Sequence, residues 1–328
     1  MTHPKNPFSL SLSKALLAAL ALAIPLSLLA GQVWISPFSP PVPNATAILM
    51  ELRLPRAVLA LILGAGLGAA GAAMQGYLRN PLADPGLFGI APAAALGAVL
   101  SFYTGYEVQA FTLPLFALIG GGGAMGLLAL IAGRAGGIAL FTLAGMMIAS
   151  LAGALTSLAI SLSPNPFALS EIVTWLMGAL ADRGWHEVRL AAPLTLAGLV
   201  LLWRAAPALD ALALGEAAAR SLGVDPTRLL WLMIAAIGLI VGSGVAVAGM
   251  IGFVGLMVPH LIRPFTDQRP SATLIPSALA GALLLLIADC LCRVMPLKGG
   301  ELRLGIALSL AGAPFFLRLL LKMRRELA

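Results

Sequence analysis

Charge is scarce in this sequence: Asp, Glu, Lys and Arg make up only 10% of its 328 residues. A soluble domain carries about a quarter. Hydrophobic residues reach 60% and mean hydropathy is +1.00. One core cannot hide that much apolar surface, so the solvent for most of the chain must be lipid. Lysine occurs at four positions only, Lys5, Lys14, Lys298 and Lys322. None follows a glycine-rich phosphate cradle, so the chain does not bind and hydrolyse ATP by that route. There are two cysteines, Cys290 and Cys292, spaced i, i+2. That spacing does not let them face each other on a helix, so neither a disulfide nor a metal site is supported. His3, His186 and His260 lie far apart, without the spacing of a metal motif. Nucleophile–base pairs are also missing, which argues against an intramembrane enzyme. The net charge of +7 comes from a few residues confined to short loops. It therefore reads as membrane topology and not as a nucleic-acid surface.

Present instead are apolar stretches of spanning length. They fall near residues 12–31, 56–78, 87–104, 111–132, 138–162, 190–206, 228–249, 254–264, 272–294 and 304–323. The eighth is short for a straight crossing. The expectation is an all-α integral membrane protein with about ten transmembrane helices in a single domain over residues 1–328. Lys5 and Lys14 ahead of the first run resemble a signal peptide, but the run is long and no clear cleavage site follows. It is read as a retained first helix. With the termini inside, thirteen of the 20 basic residues fall on inner segments and seven on outer ones. That bias predicts cytoplasmic termini. The outer seven are Arg53, Arg56, Arg183, Arg189, Arg293, Lys298 and Arg303.

Local patterns punctuate the spans. Gly64, Gly68 and Gly71, with neighbouring alanines, make a face on which helices pack closely. Asn80-Pro81-Leu82-Ala83-Asp84-Pro85-Gly86 predicts a stiff turn at the inner end of the second span. Leu214 to Gly223 predicts a short helix closed by glycine, with Asp225-Pro226 starting the next span. On the outer side, Ser170 to Gly178 predicts another short helix. Asp289 is the one acid well inside a span, and intramembrane acids are functional candidates. Arg293 lies four residues on, so a pair on one helix face is the expected arrangement. Arg53-Leu54-Pro55-Arg56 supports two readings at this point: interfacial snorkelling, or an outward basic ring for an acidic partner.

In this order the stretches resemble the FecCD-type permeases, the membrane subunits of type II ABC importers for ferric siderophores, haem and vitamin B12. The resemblance runs from about Trp34 to Leu321. It is carried by Arg53-Leu54-Pro55-Arg56, the Gly71–Gln75 run with Arg79–Gly86, Trp175–Gly178, Leu212–Glu216 with Leu222-Gly223, the run from Ala246 to His260, and Gly312–Phe316. It implies a type II permease fold of ten spans and a homodimer or closely paired permease with its pathway on the twofold axis. Its partners would be two ATPase subunits, which hold the ATP and Mg, and a periplasmic binding protein. No cofactor or metal is expected on this chain, and its surroundings are membrane lipid. By position, the resemblance places coupling to the ATPase within about residues 209–226, on Leu214, Gly215, Glu216, Arg220, Leu222 and Gly223. It makes Arg53, Arg56 and Arg293 the docking arginines for the binding protein. Asn80 and Leu82 fall at the cytoplasmic gate, and Glu171 at the outer mouth. Two departures stand out. Glu301-Leu302-Arg303-Leu304-Gly305 has an arginine where relatives carry a proline-valine step, and Gly136-Gly137 replaces a Ser/Thr pair at the gate loop. The expected cargo is a ferric chelate, with cobalamin as the alternative. An ion-coupled transporter is the competing class, and it would need more embedded ionisable residues than Asp289.

Overall fold

The computed structural model of the chain describes residues 7–35, 43–103, 111–133, 138–163, 166–295 and 300–327. Every regular element among them is helical. In chain order these are α1 (Pro7–Leu29), α2 (Ala45–Ala47) with a π-helical stretch at Ile48–Arg53, α3 (Leu54–Leu78), α4 (Ile90–Ser101), α5 (Thr112–Ala132) and α6 (Ile138–Ser161). They continue with α7 (Pro166–Leu176), α8 (Trp185–Ala213), α9 (Glu216–Ser221), α10 (Pro226–Ala248), α11 (Val254–Ile262), α12 (Pro270–Val294) and α13 (Leu304–Leu327).

Eight of these helical stretches are long and apolar enough to cross a membrane. The ten expected spans are all helical, but two fall short. At about 1.5 Å per residue, α4 and α11 reach only part of a hydrocarbon core about 30 Å thick. Backbone breaks explain the shortfall. Gly89 (φ 81°) starts α4 late, and Gly249 (φ 70°) and Phe253 (φ 67°) hold the chain out of helix before α11.

The helices α3 and α10 lie at the centre and are largely buried, while α1 sits at the periphery against α12. The glycine face of α3 is what lets its neighbours approach. A Cβ on Gly64 would strike the carbonyl of Gly281 in α12, and one on Gly68 that of Ser277. One on Gly71 would strike the backbone of Gly255 in α11. Lipid offers no hydrophobic drive between helices, so such close backbone packing supplies much of the cohesion. The tight-packing reading of Gly64, Gly68 and Gly71 is therefore what the fold uses.

The bundle has two ends. At one, the end of α3, the end of α8 and the start of α12 meet: Asp210 accepts hydrogen bonds from the amide and hydroxyl of Ser271 at 2.8 and 2.5 Å. The helix α9 lies here. At the other end, the last residues of α1 meet the starts of α3 and the end of α12, with α7 nearby. The N-terminal end of α1 and the C-terminal end of α13 both lie at the α9 end.

Candidate functional site

The segment from Leu214 to Asp225 is built from local signals. Gly215 (φ 107°) turns the chain out of α8, and the six residues of α9 follow. Gly223 (φ 84°) ends that turn in a backbone conformation that a side chain would strain. The carboxylate of Asp225 then accepts from the amides of Thr227 and Arg228 at 2.8 and 3.3 Å, and Pro226 takes the first helical position of α10. Ala219 anchors α9 to the bundle, whereas Leu214 and Leu222 are 70% and 64% exposed. Two large apolar side chains thus project from one short, pinned element. Glu216 and Arg220 lie 3.9 Å apart on its surface, a pair worth little by itself.

The Asn80–Gly86 segment is the expected stiff turn. Asn80 Oδ1 accepts from the Leu82 amide at 2.9 Å, and Asp84 Oδ1 from the Gly86 amide at 2.7 Å. It does not stay at the helix end, however. Arg79 (φ 49°) reverses the chain, and the turn folds back into the bundle. Pro85 packs on Gly255, and Phe88 stacks on Phe141 with ring centroids 5.3 Å apart. The re-entry brings Leu82 and Asp84 to the wall of a cavity of about 400 Å³. Its lining is overwhelmingly apolar, with Leu67 of α3, Val245 of α10, the Gly249–Phe253 break and Phe316 of α13. Asn80 is exposed at the mouth of the turn, and Leu82 faces the cavity. The Gly249–Phe253 wall escaped the sequence reading as a lining element; its signal was the glycine pair interrupting an apolar run. The Gly136-Gly137 loop, like Arg134 and Lys298, lies outside the described residues.

At the α7 end the three arginines expected to form an outward ring are buried in the chain. Arg53, Arg56 and Arg293 are 7%, 8% and 5% exposed. Arg56 Nε lies 2.9 Å from both oxygens of Asp289, and its Nη1 lies 2.7 Å from Glu301. Arg53 donates to the carbonyls of Leu28, Leu29 and Val33 at 2.8, 2.9 and 2.5 Å. Arg293 Nη2 donates to Ser27 O at 3.1 Å. The physical reason is α1, whose last-turn carbonyls have no helical partner and carry the negative end of the helix dipole. Two arginines cap that end, and the third is held by carboxylates. The i, i+4 pair of Asp289 with Arg293 exists at 3.6 Å, but Arg56 is the nearer partner.

The docking expectation thus falls on residues turned inward, whereas Glu171 is exposed on α7. It lines a depression of about 440 Å³ with Thr174, Asp182, Arg183 and Arg303. Burial lowers the Arg183 pKa from its ordinary value, and Arg303 adds to that effect. The departure at Arg303 therefore puts a second cation on this rim. The Trp175–Gly178 motif behind it is a junction, where Gly305 donates to Gly178 O at 3.1 Å and Ala179 to Ala248 O at 2.8 Å.

Among the described residues no group of three His, Cys, Asp or Glu side chains is placed to hold a metal ion. An apolar cavity, a pinned knob at one end and a polar rim at the other are set among eight helices long and apolar enough to cross a membrane, the architecture of a multi-pass membrane protein. Over residues 18–322 the chain matches the FecCD transport family. It belongs to that family, and is a membrane permease subunit of the ABC importer type. It is 39% identical over 280 residues to the Fe(3+) dicitrate transport system permease protein FecD of Escherichia coli, covering 84% of this chain and 86% of that one. It is 36% identical over 311 residues to the vitamin B12 import system permease protein BtuC of Vibrio vulnificus, covering 94% and 92%. A solved inward-facing metal-chelate type ABC transporter superposes with a TM-score of 0.87 at 31% identity, over 95% of this chain and 99% of that one.

Proposed function

We propose that this chain pairs with a second permease subunit to form the path of an ATP-driven importer for a ferric chelate. In this reading it sits in the plasma membrane with both termini and α9 in the cytoplasm. Two ATPase subunits, which bind the ATP and Mg, receive α9 through Leu214, Gly215, Glu216, Arg220, Leu222 and Gly223. A periplasmic binding protein delivers the substrate to the α7 end, where Glu171 lies at the mouth. Asn80 and Leu82 narrow the path on the cytoplasmic side. ATP-driven closure of the partners moves α9, and α9 moves the helix ends on which it is mounted.

The observation that carries the reading is the apolar cavity beside the re-entrant Arg79–Phe88 segment. A chelated ion already has its ligands, so its path needs an apolar wall and a gate, with selectivity left to the binding protein. The iron-citrate permeases among the relatives favour a ferric chelate as cargo. The near-complete coverage of vitamin B12 permeases favours cobalamin as the second reading.

The test is uptake of labelled ferric citrate, haem and cobalamin by a strain lacking this chain, with and without its restoration. Restored iron uptake supports the first reading and restored cobalamin uptake the second. If none of the three depends on the chain, the cargo assignment fails; uptake that follows an ion gradient and not ATP would overturn the ATP-driven mechanism.

A further inference from the structure

A separate depression of about 250 Å³ opens at the α9 end, between the end of α3, the end of α8, the turn after α11 and the start of α12. Its polar lining is Gln75, Arg79, Arg263, Gln268 and Thr273, and it contains no acidic residue. Arg263 is half-buried, and its Nη2 donates to Gln75 Oε1 at 2.9 Å. Gln75 is itself oriented by donation from Nε2 to the carbonyls of Gly255 and Leu256, at 3.4 and 3.3 Å. Its oxygen is thus aimed at the guanidinium, but an amide oxygen does not neutralise the charge.

The nearby acids have other partners, although Asp267 Oδ1 is buried without a hydrogen-bond donor. Asp210 is taken by Ser271, and Asp267 is paired with Arg269, outside the depression. Among the described residues no carboxylate lies within 4 Å of Arg79 or Arg263. A partly desolvated cation without a counter-ion is costly. Two guanidinium groups on one concave wall, with Gln268 beside them, match the oxygens of a phosphate group better than a single carboxylate.

We propose that this pocket binds a phosphate group between Arg79 and Arg263, and that in the membrane the phosphate is the headgroup of an anionic phospholipid. Position supports that source. Arg79 directly follows the last residue of the α3 span, and Arg263 directly follows α11, so both stand at helix ends on the α9 side of the bundle, where a headgroup layer would lie. Basic pockets between transmembrane helix ends are recurrent headgroup sites. A bound phosphate would tie α3 to the turn after α11. It would also touch Ala213, the last residue of α8 before the α9 segment.

The test is thermal unfolding of the delipidated full chain in neutral detergent, titrated with phosphatidylglycerol, phosphatidylcholine or inorganic phosphate. Phosphatidylglycerol should raise the midpoint saturably, and phosphatidylcholine should not. Arg79→Gln and Arg263→Gln should each weaken the apparent affinity by about tenfold or more, whereas Arg269→Gln should not. Arg79 is exposed, so its variant remains informative if Arg263→Gln fails to fold. A saturable shift with inorganic phosphate that competes with the lipid would keep the site and make free phosphate its ligand. The proposal is overturned if neither anion shifts the midpoint, or if the shift persists undiminished in Arg79→Gln.

Discussion

Arg56 and Asp289, 233 residues apart in sequence, are joined by a bidentate ion pair inside the protein, with Nε 2.9 Å from each carboxylate oxygen. Around them Arg53, Arg293 and Glu301 complete a cluster of three guanidinium groups and two carboxylates. It ties the end of α1 to the start of α3 and the end of α12.

Breaking that pair on one side leaves a charge in a place that cannot solvate it. Asp289→Leu should cost about 3–5 kcal/mol, because Arg56 keeps only Glu301 and Arg293 loses its nearest carboxylate. The double variant Arg56→Met with Asp289→Leu should recover much of the loss. Thermal unfolding in detergent of the four members of this cycle checks both statements. Additive losses in the double variant would show that the pair does not act as a unit.

The closest backbone approach on α3 is at Gly71. Gly71→Ala should destabilise the protein by several kcal/mol, since its methyl would overlap the Gly255 backbone and main chain yields less readily than a side chain. Gly122→Ala is the matched control: nothing stands within 4 Å of the new methyl, and the exchange removes a helix-weakening glycine. It should be neutral or slightly stabilising. Expression level and unfolding midpoint of the two variants give the comparison.

Leu214 and Leu222 project, largely exposed, from the α9 segment. Leu214→Asp with Leu222→Asp should leave the unfolding free energy within about 0.5 kcal/mol of wild type, as surface exchanges do. ATP-driven uptake and co-purification of the ATPase should fall at least tenfold. A loss of stability instead would place these side chains in the fold and not at a contact.

The fold was legible where its signals are local. Long apolar runs announce spans by composition alone. Asp225-Pro226 and Gly223 delimit α9 and α10 because caps and positive-φ glycines act within a few residues. The small-residue spacing at Gly64, Gly68 and Gly71 likewise reports packing directly. The α4 and α11 half-helices were legible only in part, since a short apolar run does not say how deep in the bundle it begins. Least legible was the arginine cluster. Arg53 finds backbone carbonyls of another helix, and Arg56 finds an acid at the far end of the sequence. Charge in an outer segment gave no sign of turning inward, and Asp289 offered a nearer partner by spacing.

The three glycine crossings of α3 carry a mechanical consequence. At Gly64, Gly68 and Gly71 it is notched into α12 and α11 backbone to backbone, so sliding at any one contact would be blocked by the other two. These three helices therefore form a single stiff spine, and any relative movement of the remaining helices must flex the chain elsewhere. The left-handed residues Gly249 and Phe253, joining α10 to that spine, are the natural pivot.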